Sequence, residues 1–140
     1  RNAEALAQIQ RLRDYTTICG SRPAEQLALH AIGAADALEQ RCRDIVHDNL
    51  ALAADTLARH DDRLQWLAPD AGPVAFPRLR AESAEAFCEQ ARARFGVLLA
   101  PARLFGYGDA HIRIGLGRRD FHRGLAALEA FVDASRASAR

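Results

Sequence analysis

The chain has 140 residues, 49% of them apolar and 26% charged, with a formal net charge of +1. That describes an ordinary globular domain with enough length to bury a core, and it lacks the basic excess of a nucleic-acid binder. All 19 basic residues are arginine, so this chain by itself excludes any reaction that needs a lysine nucleophile or a lysine imine.

The sequence opens Arg1-Asn2-Ala3 without methionine and inside a helical pattern, as a segment of a longer chain would. Residues 3–14 read as the end of a helix, with Ala3, Leu6, Ala7, Ile9 and Leu12 near helical spacing. Residues 15–21 read as a connector. Pro23 suits the first turn of a second helix, capped by Ser21 or Arg22 and stopping at Gly33. Asp36 and Glu39 have capping-box spacing ahead of a longer helix that ends at His60-Asp61-Asp62. Its apolar positions are Cys42, Ile45, Val46, Leu52, Ala53 and Leu57, and Asp55 precedes Arg59 at the favourable i,i+4 spacing.

The period then changes. Residues 64–67 and 74–76 read as short strands linked in the manner of a hairpin, with Pro69-Asp70-Ala71-Gly72 as the turn. Pro73 and Pro77 bracket the second strand and assign it to an edge or a bulge. Ser83 begins a helix with Phe87, Cys88 and Ala91 inward, closed by a left-handed cap at Gly96. The unbroken apolar run 97–100 reads as a buried third strand, and 110–116 as a fourth. Asp120 caps the last helix, whose stripe is Phe121, Leu125, Leu128 and Phe131 or Val132; residues 135–140 read as a frayed tail. The order is three helices, then β-β-α-β-β-α. It predicts an α+β domain with a mostly antiparallel four-stranded sheet covered on one side by helices.

Three cysteines without C-x-x-C spacing argue against a disulfide framework and for a reducing, cytoplasmic setting. Cys42 and Cys88 fall on inward helix faces and act there as small hydrophobes. No apolar run approaches the ~18 residues of a membrane span, and no signal peptide is visible. The five histidines share no metal-ligand spacing, and the Gly-x-Gly pairs at 106–108 and 115–117 open no helix of a βαβ unit.

Arg113 is the candidate site residue. On the strand 110–116, His111, Arg113 and Gly115 share one face and Ile112, Ile114 and Leu116 the other. If the isoleucine face packs on the helices, Arg113 projects from the opposite face, where its fork suits a bidentate bond to a carboxylate. On pattern alone, an arginine on a wetted sheet face is the commoner explanation. His111 reads equally as a cleft residue or a solvated one, and Tyr107 as a loop aromatic.

Gly96-Val-Leu-Leu-Ala-Pro101, Phe105-Gly106 and His111-Ile-Arg-Ile-Gly-Leu-Gly-Arg118 together resemble the closing segment of the class I/II aminotransferases, of fold type I. The resemblance covers nearly the whole chain. Arg13 to Thr17 resembles the segment where that family's long interdomain helix enters the small domain. Asn49 and the stretch Trp66 to Pro77, with Gly72 and Phe76, resemble its first hairpin. The resemblance implies that residues 1–140 form the single small C-terminal domain, with 1–20 the end of the interdomain helix and its connector. It implies pyridoxal phosphate as the parent enzyme's cofactor, and an amino acid and a 2-oxo acid as substrates exchanging an amino group.

Arg113 matches the arginine that binds the substrate α-carboxylate, which favours the anchor over the solvated reading. Val74 to Phe76, chiefly Val74 and Phe76, are implied candidates for the wall against the substrate side chain, although core packing is the commoner role for such a phenylalanine. The family's lysine, phosphate ligands, ring-stacking aromatic and pyridine-pairing aspartate have no counterpart here. The isolated chain is therefore expected to be inactive and to hold no cofactor. The implied partners are the large cofactor-binding domain of the same parent chain and a second copy in a homodimer. The apolar area left uncovered is expected to drive self-association. Two rival readings stand: a related fold-type I lyase, cyclase or acyltransferase with the same anchor, and a free-standing non-catalytic module that binds a carboxylate or a partner.

Overall fold

Side-chain caps start the first helix and the one that begins at Ala84. In the computed structural model, which describes residues 2–80 and 83–137, the Asn2 side chain accepts from the Glu4 and Ala5 amides, both at 3.1 Å, and opens α1 (Ala3–Thr16). Pro23 sits in the first turn of α2 (Arg22–Gly33), and Ser21 stands at its N-cap without a side-chain capping bond. After Ala34 the chain re-enters helix as α3 (Ala35–Arg59), so Asp36 lies inside the first turn instead of capping it. There its charge still opposes the positive end of the helix dipole. The chain divides into two compact units, Arg1–Gln40 and Arg41–Arg140. None of residues 2–40 is buried.

The second unit holds the core. Burial on α3 begins at Asn49 and continues with Ala53, Thr56 and Leu57. Cys42 is exposed and Leu52 is 45% exposed, because both lie off the face or the half of the helix that is covered. Asp55 and Arg59 pair as their spacing predicts. Beyond α3 come β1 (Leu64–Gln65), β2 (Val74–Ala75) and β3 (Arg78–Leu79), then α4 (Ala84–Phe95). Ser83 Oγ accepts from the Ala86 amide to start α4, and Gly96 ends it at φ 68°, a conformation that costs glycine nothing. The strand β4 (Ala100–Pro101) leads into a 3-10 turn (Ala102–Phe105), followed by β5 (Ile112–Gly115) and α5 (Phe121–Ala137). Residues 135–137 continue α5 and are not frayed; 138–140 lie outside the described residues.

The fold is α+β as expected, but among the described residues five short strands, all paired antiparallel, form two sheets, β1–β3 and β2–β5–β4. Strands 64–67 and 74–76 do not form a hairpin. Leu64 pairs instead with Leu79, an arrangement that buries both leucines. β2 is an edge strand, in keeping with its flanking prolines. The run 97–100 is not a continuous strand: only Ala100 enters the ladder, with Pro101 beside it, and Leu98 is 83% exposed. Continuing the register would set Leu99 opposite Ile114, but the two segments part there and leave a cleft between them.

Helices α4 and α5 close the core with the isoleucine face of β5. Phe87 meets Phe131 edge to face at 4.9 Å, and Ile112, Leu116 and Val132 are fully enclosed. Cys88 is buried among them, as its position on α4 predicts. Asn49 ties α3 to the far end of β5: its Nδ2 donates to the carbonyls of Leu116 and Arg118, both at 2.7 Å.

Candidate carboxylate site

Strand alternation fixes which way Arg113 faces. Ile112 and Ile114 are buried at 0% and 6% exposure, whereas Arg113 and Gly115 are exposed. Val74 lies opposite Gly115 and Ala75 opposite Ile114. The register continues, since the Ile112 amide donates to Pro77 O at 3.1 Å and Arg78 bridges to His111. Phe76 therefore stands opposite Arg113 on one side, and Ala100 opposite it on the other. Val74, Phe76 and Arg113 share the open face of the β2–β5–β4 ladder.

The surroundings leave Arg113 with donors to spare. Among the described residues no carboxylate pairs with it, although Arg80, Arg92, Arg118 and Arg136 each pair with an acid. Asp120 occupies two donors of Arg118, at 2.8 and 2.9 Å, and that guanidinium holds the Asp120 carboxyl below the usual carboxylate range. The carboxylate of Asp120 is thus committed to Arg118. Arg113 meets an aromatic ring instead, with its guanidinium carbon 5.2 Å from the Phe105 centroid.

Two hollows flank Arg113. One, of about 340 Å³, runs between residues 97–99, the end of β5 and the start of α5, with Leu99, Ile114, Phe121 and Leu125 in its walls. The other, of about 380 Å³, is bordered by Leu98, Ala100, Leu104 and Gly115. The first hollow also carries Arg118, Asp120 and Arg123 beside Arg113, whereas the second takes its charge from Arg113; concavities of this size suit small organic ligands.

Three rings pack beside the arginine. Phe76 and His111 stack at 5.1 Å and 9°, and Tyr107 meets both edge-on at 5.4 and 5.1 Å. His111 is thus half-buried in a ring cluster, and among the described residues its buried Nδ1 has no hydrogen-bond partner. Phe76 is half-buried in this cluster and lies outside the main core. The sequence reading quoted Phe105 only as part of a motif, without placing it beside Arg113, and did not single out Asp109. The signal for Phe105 was its following glycine, since Gly106 at φ 70° closes the turn that carries the ring. Asp109 receives the Glu85 amide at 3.0 Å on its side chain and the Ala84 amide at 2.9 Å on its carbonyl, fastening α4 to the loop before β5. No local signal announces that tie.

This fold has known counterparts. The family model described as aminotransferase class I and II matches residues 2–122, and the chain belongs to that family. Capreomycidine synthase of Streptomyces vinaceus is 34% identical over 128 residues, which make up 89% of this chain and 33% of that protein. The solved pyridoxal phosphate-dependent cyclase OrfR superposes with a TM-score of 0.85 at 31% identity, over 94% of this chain and 37% of its own. A pyridoxal phosphate-dependent aminotransferase from Streptococcus suis gives 0.83 at 25% identity, over 95% and 36%. The chain spans about a third of the length of these relatives.

Proposed function

We propose that residues 1–140 form the C-terminal small domain of a pyridoxal phosphate-dependent enzyme of amino-acid metabolism, in which Arg113 grips the substrate α-carboxylate. The reaction is transamination between an amino acid and a 2-oxo acid. The observation that carries this reading is an arginine with unpaired donors, facing outward between two hollows, in a chain of this family. Residues 1–20 supply the end of the interdomain helix and the connector. Val74 and Phe76, across the ladder from Gly115 and Arg113, form the wall beside the substrate side chain.

This chain does not supply the cofactor site. It contains no lysine, so nothing in it can carry the imine that holds pyridoxal phosphate, and the isolated chain is inactive. Bound elsewhere in the parent, the cofactor supplies the electron sink. What these residues do is orient: a bidentate arginine fixes the carboxylate and with it the direction of the α-carbon. The large cofactor-binding domain covers the exposed apolar side chains, among them Leu6, Leu27 and Leu98, and the parent works as a homodimer. Without that cover the isolated chain self-associates, which light scattering over a concentration series tests. Three free thiols support a cytoplasmic home.

In the full-length enzyme, Arg113→Ala is expected to lower kcat/KM for the amino acid by about ten- to a hundredfold, the worth of hydrogen bonds to a charged group. Arg113→Lys recovers little, because the fork is lost. Unchanged kinetics in both variants would remove Arg113 as the anchor. A second reading, ring closure of an amino acid, is favoured by one observation: a relative 31% identical to this chain is a cyclase. Product analysis separates the two. Transamination consumes a 2-oxo acid and returns its amino acid, whereas cyclisation yields a ring from the amino acid with the oxo acid untouched.

A further inference from the structure

Arg113 is held by a ring that does not compete with a carboxylate. The guanidinium carbon lies over the Phe105 ring, 5.2 Å from its centroid and within the ~6 Å reach of a cation–π contact. The phenyl ring has no lone pair to accept a conventional hydrogen bond, so this contact leaves the five N–H donors of arginine available to an oxygen acceptor. An acid at the same place would occupy two, as Asp120 does on Arg118.

The turn that carries the ring is fastened at several points. The Ala102 amide donates to His111 O at 2.8 Å, the Tyr107 amide to Ala102 O at 3.2 Å, and the Gly106 amide to Arg103 O at 3.1 Å. Ala102 is fully buried, whereas Phe105 is half exposed. An exposed phenylalanine on an anchored turn adds little to the core, and among the described residues its ring meets the Arg113 guanidinium.

We infer that Phe105 is a positioning residue: it fixes the Arg113 side chain with its donors turned outward, ready for the carboxylate end of the substrate. The inference rests on the proposed role of Arg113. A mobile arginine loses side-chain freedom when it binds, and a platform that orders it beforehand reduces that loss. The effect belongs to binding, so it falls on KM more than on kcat.

The test uses the full-length enzyme and four variants. Phe105→Leu keeps apolar bulk but removes the ring face, and is expected to raise KM for the amino acid about two- to five-fold, the range for exposed cation–π pairs. Phe105→Tyr keeps the face and recovers most of that loss. In an Arg113→Ala background, adding Phe105→Leu has no further effect, because the two residues act through one contact. The Arg113 side-chain N–H resonance, displaced by the ring current in the wild type, returns toward its ordinary position in Phe105→Leu. A silent Phe105→Leu with an impaired Arg113→Ala overturns the inference and spares the anchor. Equal impairment by leucine and tyrosine, or a leucine effect that persists without Arg113, overturns it as well. A silent Arg113→Ala ends the anchor reading and this inference with it, and the resonance then reports only whether the stack exists.

Discussion

Helices α1 and α2 carry Leu6, Ile9, Leu12, Leu27 and Ile32, each more than half exposed. Helices α4 and α5 carry Phe87, Ala91, Leu125, Leu128 and Phe131, each less than a tenth exposed. As local sequence the two pairs look alike, with apolar residues near helical spacing. What separates them is cover. The stripes of α4 and α5 meet each other and the inner face of β5, whereas residues 2–40 contain no buried residue. Periodicity names the apolar face of a helix, but only an element distant in the chain can bury it, and that burial supplies most of a helix's stability.

Substitution gives the largest expected effect and the most direct way to break this contrast. Phe87→Ala empties a fully enclosed position and should cost about 3–5 kcal/mol. Ile9→Ala, on a residue 63% exposed, should stay within about 0.5 kcal/mol. Urea unfolding monitored by circular dichroism measures both, and comparable losses would erase the distinction.

Thiol chemistry sharpens it. Burial, and then the charge of Asp109, push the Cys88 thiol up to about 11, while Cys19 and Cys42 are exposed. At pH 8 the thiolate fraction of Cys88 should be roughly a hundredfold below that of an ordinary thiol. Alkylation followed by mass spectrometry should find two fast sites in the native chain and a slow one on α4. Three equally fast sites would mean that the inner face of α4 is open.

Asn49→Ala removes the donor shared by the Leu116 and Arg118 carbonyls and should cost about 1–3 kcal/mol. The same substitution should perturb the amide resonances at Gly117, where α3 pins the end of the arginine strand. Unaltered stability and resonances would show that the strand end needs no such pin.

Acid gives the smallest effect. Hydrogen bonds hold five carboxyls below their ordinary range: from Arg136 to Asp62, from Arg92 to Glu89, from Ser83 to Asp109, from Arg118 to Asp120 and from Arg59 to Glu129. The unfolded chain, whose carboxyls titrate near pH 4, therefore binds more protons in acid than the folded one does. Stability is fully present above about pH 5 and is lost as pH falls through the lowered folded values. Since these pairs are largely exposed, the loss should be modest and should shrink further in salt. Thermal melts between pH 5 and pH 2 check the sign, and a melting temperature that rises on acidification would contradict it.

Sequence alone determined whatever depends on near neighbours. Pro23, Ser83 and Gly96 marked helix ends, because caps and left-handed turns involve residues within about one helical turn. The Ile112-Arg113-Ile114-Gly115 alternation assigned Arg113 to the open face, since a strand turns successive side chains to opposite sides. Tertiary structure decided which segments meet. It paired Leu64 with Leu79 instead of forming a 64–76 hairpin, parted residues 97–99 from β5, and left Cys42 uncovered. It also carried Asn49 to the end of β5 and Phe105 onto Arg113. Those outcomes depend on residues far apart in the chain, so no short window of sequence contains them.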